Sequence, residues 1–562
     1  MVSLKSKSTG DILILLIGIT ILLLVNILAS RYFFRWDLTE ENRYSINEPT
    51  KEMLSDLDDQ VYVEVYLSGN LNPDFKRLQK SIQETLDEFN IYSNNLVQYS
   101  FLDPIANMDE SAVNQFTQKM TSMGITPTRL HDKEDGKETQ KLIFPGAIIS
   151  YGGREVGVTL LKSNQSANAI EKLNLSIESL EYELANSISK LTKIERQKIG
   201  IVTGHGELHG AEVASLNITL SESYLIENTL LMNKDLNQFR SLIIAKPITR
   251  FSEQDKYHLD QYIMHGGTAL MLIDKLDVNM DSISSAFNYA FPYDLNIDDM
   301  LFRYGLRINN TLIQDRVAGT ELVVVGNVGD QPQLKPFRWP FYPIINQYSD
   351  HSSVKNLDAV QTKFISTLDT IKSQGIIKTP IMFTSEYSRS LTAPVQVSLK
   401  HISQDLTPEK LNQKNLPVGY LLEGQFTSLF KNRYAPEGVD DQNKIDQGVS
   451  SKIIVIGDGD LAKNEVNPTN GQPLDLGYDV NTRNTFANKD LMINLMAYLT
   501  ESDGLITARS KEIKIRPLDN VKTERDAAYW KFVNLILPIV FLILFGLVKY
   551  YLRKRKFSKF SS

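Results

Sequence analysis

The chain has no cysteine in 562 residues. That excludes disulfides, thiolate nucleophiles, cysteine metal ligands and a lipid-modified cysteine anchor, and it fits an exported body that avoids oxidation chemistry. No G-x-x-x-x-G-K-[ST] stretch is present, so nothing in the chain cradles a nucleotide phosphate and it drives nothing with ATP by itself. No G-x-S-x-G elbow is present either, which weakens a serine-hydrolase reading. Histidine is scarce, with seven in all, and only His205 and His209 lie close together. A net charge of −7 gives no basic footprint for nucleic acid. Long uncharged apolar runs are missing everywhere except at the two ends, Ile12–Ala29 and Phe532–Val548.

Those two runs set the organisation. A helix crossing a bilayer needs about 17–25 apolar residues, so each run qualifies as a span. The first is long for a signal peptide, and Ile27 and Ala29 make a poor cleavage site, so it reads as an uncleaved anchor. Lys549, Arg553, Lys554, Arg555, Lys556 and Lys559 follow the second run, which places that end in the cytoplasm of a bacterial inner membrane. Two crossings return the N-terminus to the same side. Lys5 and Lys7 fit this, while Arg31 and Arg35 weigh against it. Tyr32, Phe33, Phe34 and Trp36 at one span and Tyr529 and Trp530 at the other read as an aromatic belt at the outer interface. The body then faces the periplasm.

With 42% hydrophobic residues, the body has material for real cores. The expected fold is α/β: an anchor (1–30), a stalk (31–60), an N-terminal α/β domain (61–195), a larger α/β domain (196–505), a return strand and linker (506–527), a C-terminal transmembrane helix (528–552) and a basic tail (553–562). In the stalk, Asp37-Leu38-Thr39 reads as a helix start. In the N-terminal domain, VYVEVYL (Val61–Leu67) reads as a strand, Phe75–Tyr92 as an amphipathic helix and Val97–Leu102 as a second strand, which is a βαβ unit. A hairpin is expected around Gly152-Gly153, then a long helix over Ser176–Lys193. In the larger domain, strands are expected at Ile199–Thr203, Ser241–Ala245, Ala269–Ile273 and Lys452–Ile456. Leu216–Leu231 reads as mostly helical, Ser252 as the cap of a helix through Met264, and Asn488–Thr500 as a further helix. This pattern predicts a doubly wound parallel sheet, with an insertion of mixed strands at about 274–432. Alternation over Ile506–Ile515 predicts a strand.

Three segments are candidates for chemistry or contact. Gly204–Gly210 (GHGELHG) follows a strand, where α/β proteins bind ligands. Its spacing is one residue too long for a dinucleotide fingerprint. His205, Glu207 and His209 are zinc-ligand types, yet i, i+2, i+4 on a glycine turn does not bring three side chains to one point. The readings are a tight turn with capping, contact with a ligand, or a metal site. Asp458 and Asp460, in Gly457–Asp460 (GDGD), either cap a helix and set a turn or hold Mg²⁺ or Ca²⁺. Pro336–Pro343 (PFRWPFYP) carries Arg338, Trp339, Phe341 and Tyr342, which read equally as a partner surface or as internal packing. In the second span, Pro538 removes a backbone donor. Together with Asn26 and Asn534 it suggests packing against other membrane helices.

Taken together, DLTEENRYSIN (Asp37–Asn47), TGHGE (Thr203–Glu207), Glu253–Ile273, LLEGQFTSLFKNR (Leu421–Arg433) and VIGDGDL (Val455–Leu461) resemble the GldG family, gliding-associated auxiliary subunits of ABC transporters in Bacteroidetes. The resemblance covers nearly the whole chain. It implies a separate ATPase subunit and a permease as partners, and gliding motility or its secretion-linked machinery; a periplasmic motility partner, contact with membrane lipid, no nucleic acid and no cofactor are further expectations. It also implies an amidotransferase-like α/β body. Such enzymes use a cysteine nucleophile that this chain lacks, so the fold is expected without the reaction. The expected function is a non-catalytic, substrate-binding-like subunit. The competing expectations are a metal-dependent periplasmic hydrolase built on His205, Glu207 and His209, with Asp458 and Asp460 as further ligands, and a strut transmitting ATPase-driven motion.

Overall fold

The computed structural model describes residues 7–31, 45–106, 108–134, 137–162, 169–193, 195–233, 235–280, 282–283, 288–329, 331–399, 406–439, 442–467, 469–500, 504–510, 522 and 525–558. The expected helix start at Asp37, the aromatic residues 32–36 and most of the family-like stretch Asp37–Asn47 lie outside them. The chain divides into two units, Met1–Lys511 and Glu512–Ser562.

In the first unit, helix α1 (Lys7–Arg31) contains the short apolar stretch Leu13–Asn26. Helix α2 (Glu48–Ser55) leads to strand β1 (Val61–Val65), whose Val61, Val63 and Val65 are buried in strict alternation. Helix α3 (Pro73–Tyr92) follows. Asn72 caps it by accepting the Phe75 N–H, and Pro73 sits in the first turn, where a missing N–H costs nothing. Phe75, Leu78, Ile82, Leu86 and Phe89 form its buried stripe. Strand β2 (Val97–Phe101) pairs in parallel with β1, so the βαβ unit is present. Next come helix α4 (Glu110–Ser122) and a separate hairpin of β3 (Thr128–Glu134) and β4 (Lys137–Ile143), neither of which the periodicity had indicated. Strands β5 (Gly146–Tyr151) and β6 (Arg154–Thr159) turn at Gly152 and Gly153, both with positive φ as a tight two-residue hairpin requires, and complete a sheet of order β2-β1-β5-β6. Helix α5 (Ala169–Thr192) packs on α3 and on this sheet.

The larger sheet has eight strands. Strands β7 (Lys198–Val202), β8 (Leu225–Thr229), β9 (Ser241–Ala245), β10 (Thr268–Leu272) and Gln447–Ile456 are parallel, in the order β8-β7-β9-β10 and then Gln447–Ile456. Pro417–Thr427, Ile376–Phe383 and Gln347–Tyr348 extend the sheet antiparallel. The four strands that the repeated apolar runs predict are mutually parallel, but the sheet as a whole is mixed, because strands of the expected insertion join it. A run buried on both faces looks the same in either direction, and chain direction is set by the connections. All three of these strands come from the stretch read as an insertion. Leu216–Leu231 holds only helix α6 (Ala214–Ser221) before it becomes edge strand β8, a second departure.

Both faces of the sheet are covered. Ile243, Ala245, Leu270, Leu272, Ile454 and Ile456 point to one core with α6 and helix α9 (Asn488–Thr500). Leu242, Ile244, Ala269, Met271, Ile453 and Val455 point to the other core with helices α7 (Glu253–Met264) and α8 (Asp298–Tyr304). Period-two alternation with apolar residues on both faces explains the continuous apolar runs Leu242–Ala245, Ala269–Leu272 and Ile453–Ile456. At α7, Ser252 and Asp255 form a reciprocal capping box. Leu505–Ser510 is a 3-10 helix, not the predicted strand, with Ile506 and Ala508 buried beside Tyr182. Residues 511–515 lie outside the described ones.

The second unit contains one long helix, Ala527–Ser558. Its segment Ala527–Arg555 has a mean hydropathy of 2.5, and among the described residues it is the one helix long and apolar enough to cross a membrane.

Candidate functional site

Parallel strands end together, so the residues after β7, β9, β10 and Gln447–Ile456 share one edge of the sheet. Ligands of open α/β sheets bind at that edge. After β9 the chain turns at Lys246, whose φ is +55°. After β10 comes Asp274, and after Gln447–Ile456 come Asp458 and Asp460. Lys246 Nζ lies 3.0 Å from Asp274 Oδ2 and 2.6 Å from Asp460 Oδ2. Carboxylate oxygens of Asp274, Asp458 and Asp460 all lie within 4.8 Å of one another. Asp458 is fully buried and accepts the backbone N–H of Lys363 at 2.8 Å and of Asp460 at 2.7 Å. It therefore sets the turn, as one of its two expected roles requires.

Burial pushes the Asp274 carboxyl up to about 6, with Asp460 adding to the rise and Lys246 opposing it. Burial, with Asp274 and Asp460 beside it, raises Asp458 well above the ordinary carboxylate range. Burial disfavours the charge on Lys246, but Asp274 and Asp460 outweigh it and hold the ammonium protonated. The three acids are the donor set of a hard cation. Lys246 already bridges two of them, so an ammonium supplies the positive charge that a metal would otherwise bring. A cavity of about 290 Å³ opens beside this cluster. Its walls include Lys246, Asp274, Asp460, Tyr342 and Phe364.

The glycine turn makes a second polar cluster on the same edge. His205 is buried and stacks on Phe251, with ring centroids 3.8 Å apart. Its Nδ1 lies 2.9 Å from Glu207 Oε1, and its Nε2 lies 3.2 Å from Asp255 Oδ2 in the first turn of α7. Burial opposes charge on the ring, but the hydrogen bonds to Glu207 and Asp255 outweigh it and raise the imidazole above its ordinary value. Glu207 Oε2 accepts the His205 backbone N–H at 2.6 Å. His209 is exposed, with Nδ1 3.2 Å from the Glu207 carbonyl oxygen. The two histidines and Glu207 therefore do not converge on one point. Both ring nitrogens of His205 face carboxylates, and the turn is closed by the Ile248 and Thr249 N–H groups donating to the His205 carbonyl.

Of the aromatic segment, Arg338 is exposed. Trp339, Phe341 and Tyr342 are buried in a cluster with Leu276, Phe364 and Val397. Trp339 meets Tyr342 edge to face at 4.7 Å. Lys246, Asp274 and Asp255 escaped sequence reasoning. Lys246 and Asp274 each follow a continuous apolar strand directly, which is the signal that marks this edge.

Residues 196–495 match a family model described as an ABC-type uncharacterized transport system. This span is more than half of the chain. The chain belongs to that family. It is an auxiliary protein of ABC-type transport, a class that works with permease and ATPase components. Residues 40–150 match a domain of unknown function. A full-length relative is an uncharacterized protein of Borreliella burgdorferi, 23% identical over 577 residues, covering 98% of this chain and 99% of the relative. Among solved structures, the mmIFT52 N-terminal domain is 15% identical, with a TM-score of 0.31, over 55% of this chain and 99% of that one. A likeness at that level carries no argument about the auxiliary protein.

Proposed function

We propose that this protein is a non-catalytic subunit of an ABC-type complex, held in the inner membrane at both ends, with its body in the periplasm beside a permease and a separate ATPase. The family match over residues 196–495 carries the reading. The apolar helix Ala527–Arg555 supports membrane attachment, and α1 is the second anchor of the proposal. The basic cluster Lys549–Lys556 supports a cytoplasmic C-terminus. The GldG resemblance adds gliding or linked secretion as the setting, with a motility partner on the periplasmic side. His205, Glu207, His209, Asp458, Asp460 and Arg338 are proposed to contribute through the shape and contacts of the sheet edge, not through bond-breaking steps. The chain's part is to bind and position, and the partner ATPase supplies the work.

Two measurements test this. Tagged protein extracted from native membranes in mild detergent should bring down a permease and an ATPase; absence of both refutes the complex. Protease added to intact spheroplasts should digest the body, and full protection would refute the periplasmic placement.

A further inference from the structure

We propose that the cavity at the C-terminal edge of the large sheet binds a small organic ammonium ion, an amine with a compact apolar body. The inference deepens the proposed binding role and rests on it for the biological setting alone.

The argument starts from charge. The deep end of the cavity is set by Lys246, Asp274 and Asp460, with Asp458 directly behind them. Two carboxylates, Asp274 and Asp460, face one ammonium there. The other lining cations already have anionic partners: Lys363 Nζ lies 2.8 Å from Glu465, and Lys463 Nζ lies 2.9 Å from Glu212. The deep end is thus short of positive charge while the rim is balanced. Burial leads the rise of Asp274 to about 6, and the neighbouring Asp460 adds to it against Lys246.

Acceptor capacity points the same way. A carboxylate offers about four lone-pair sites. Among the described residues, Asp274 accepts from Lys246 and the Gly459 N–H, and Asp460 accepts from Lys246. Both retain acceptors on side chains that line the cavity.

The rest of the wall is apolar or aromatic. Leu276, Val278, Met280 and Phe364 supply the apolar part, and Tyr293 adds a ring that suits an adjacent cation, while the Tyr342 ring already faces Lys363 Nζ at 5.5 Å. A volume of about 290 Å³ admits a molecule of amino-acid size and no large cargo. An anion finds no unpaired cation in this cavity, and a neutral isostere leaves the carboxylate acceptors unmet.

The experiment uses the full chain in mild detergent, titrated calorimetrically with benzylamine, benzyl alcohol and benzoate. Benzylamine should bind saturably at one site per chain. Benzyl alcohol and benzoate should bind at least about tenfold more weakly, the scale of one charge-assisted hydrogen bond. Asp460→Asn should lose a similar factor. Because Asp460 also holds Lys246, a second variant keeps the test independent of folding. Met280 is 42% exposed at the wall of the cavity, where its Sδ accepts the Tyr342 hydroxyl at 3.9 Å, so Met280→Lys places a like charge there at an exposed position. It should keep the wild-type near-ultraviolet circular dichroism and lose benzylamine. Equal binding of the alcohol, no saturable binding, or undiminished binding by Met280→Lys would overturn the proposal. Recovery of permease and ATPase with Met280→Lys separates the two readings. If the complex forms but no amine binds, this inference alone fails; if the amine binds but no complex forms, the functional reading alone fails.

Discussion

Replacing His205 by alanine tests the polar cluster of the glycine turn most directly. The imidazole lies 2.9 Å from Glu207 Oε1 and 3.2 Å from Asp255 Oδ2, and it stacks on Phe251 at 3.8 Å. Glu207 is 4% exposed. Removing the ring leaves a buried carboxylate without its cationic partner, which costs about 3–5 kcal/mol. With a urea m-value of about 3 kcal/mol/M, the unfolding midpoint should fall by roughly 1–1.7 M. The wild-type contribution also depends on pH. The folded imidazole titrates above the ordinary 6.5, because its bonds to Glu207 and Asp255 outweigh the opposing effect of burial. Its stabilisation is therefore complete below about pH 6.5 and is lost as pH rises through the folded value. Asp255 is shifted the other way: burial opposes its charge, but the bonds from Ser252 and His205 outweigh that and lower it below 3.8. That contribution is present above about pH 3.8 and is lost as pH falls through the folded value. The gap between wild type and His205→Ala should be widest at about pH 4–6.5 and narrower at about pH 8.5. Urea titrations followed by tryptophan fluorescence measure it, since Trp339 is fully buried. His209→Ala, at an exposed site, should change stability by no more than about 0.5 kcal/mol. Equal midpoints for the two variants, or a gap that does not change with pH, would refute the reasoning.

Three further outcomes are expected. Trp339→Ala should cost about 3–5 kcal/mol by urea unfolding, whereas Arg338→Ala should be near neutral, because the first ring is wholly enclosed and the second side chain is exposed. In wild type, the elevated Asp274 carboxyl should make stability decline as pH rises from about 3.8 to about 6 and level off above that; Asp274→Asn should flatten this slope in midpoints measured across the same range. At Gly457, an added Cβ would sit 2.4 Å from the Ser366 backbone oxygen, so Gly457→Ala should cost about 1–3 kcal/mol or more and lower the thermal midpoint.

Features governed by local periodicity were legible in advance. The buried stripe of α3, the capping box at Ser252, the glycine turn between β5 and β6 and the helix Asn488–Thr500 follow from spacing and cap chemistry over a few residues. The misreading of Leu225–Thr229 as helix has the same origin. Strand β8 is half exposed at a sheet edge, so its apolar positions lack the continuous run that marked the central strands. The candidate site was legible only in part. Asp458 and Asp460 stood out because two acids follow an apolar strand, but Lys246, the partner of Asp460, lies more than two hundred positions earlier, and no local pattern links them.

The amino-acid order by itself determined the apolar ends, the absence of a phosphate-binding-loop motif and of cysteine, and where central strands and capped helices form. Each of these depends on residue type and near-neighbour spacing. Tertiary structure alone decided that strands of the insertion join the large sheet by antiparallel pairing, that Trp339, Phe341 and Tyr342 turn inward, and that Lys246, Asp274 and Asp460 meet at one cavity. Strand order and direction, together with the low dielectric of a shared interior, arise only when distant segments pack, and they fix which charges become partners.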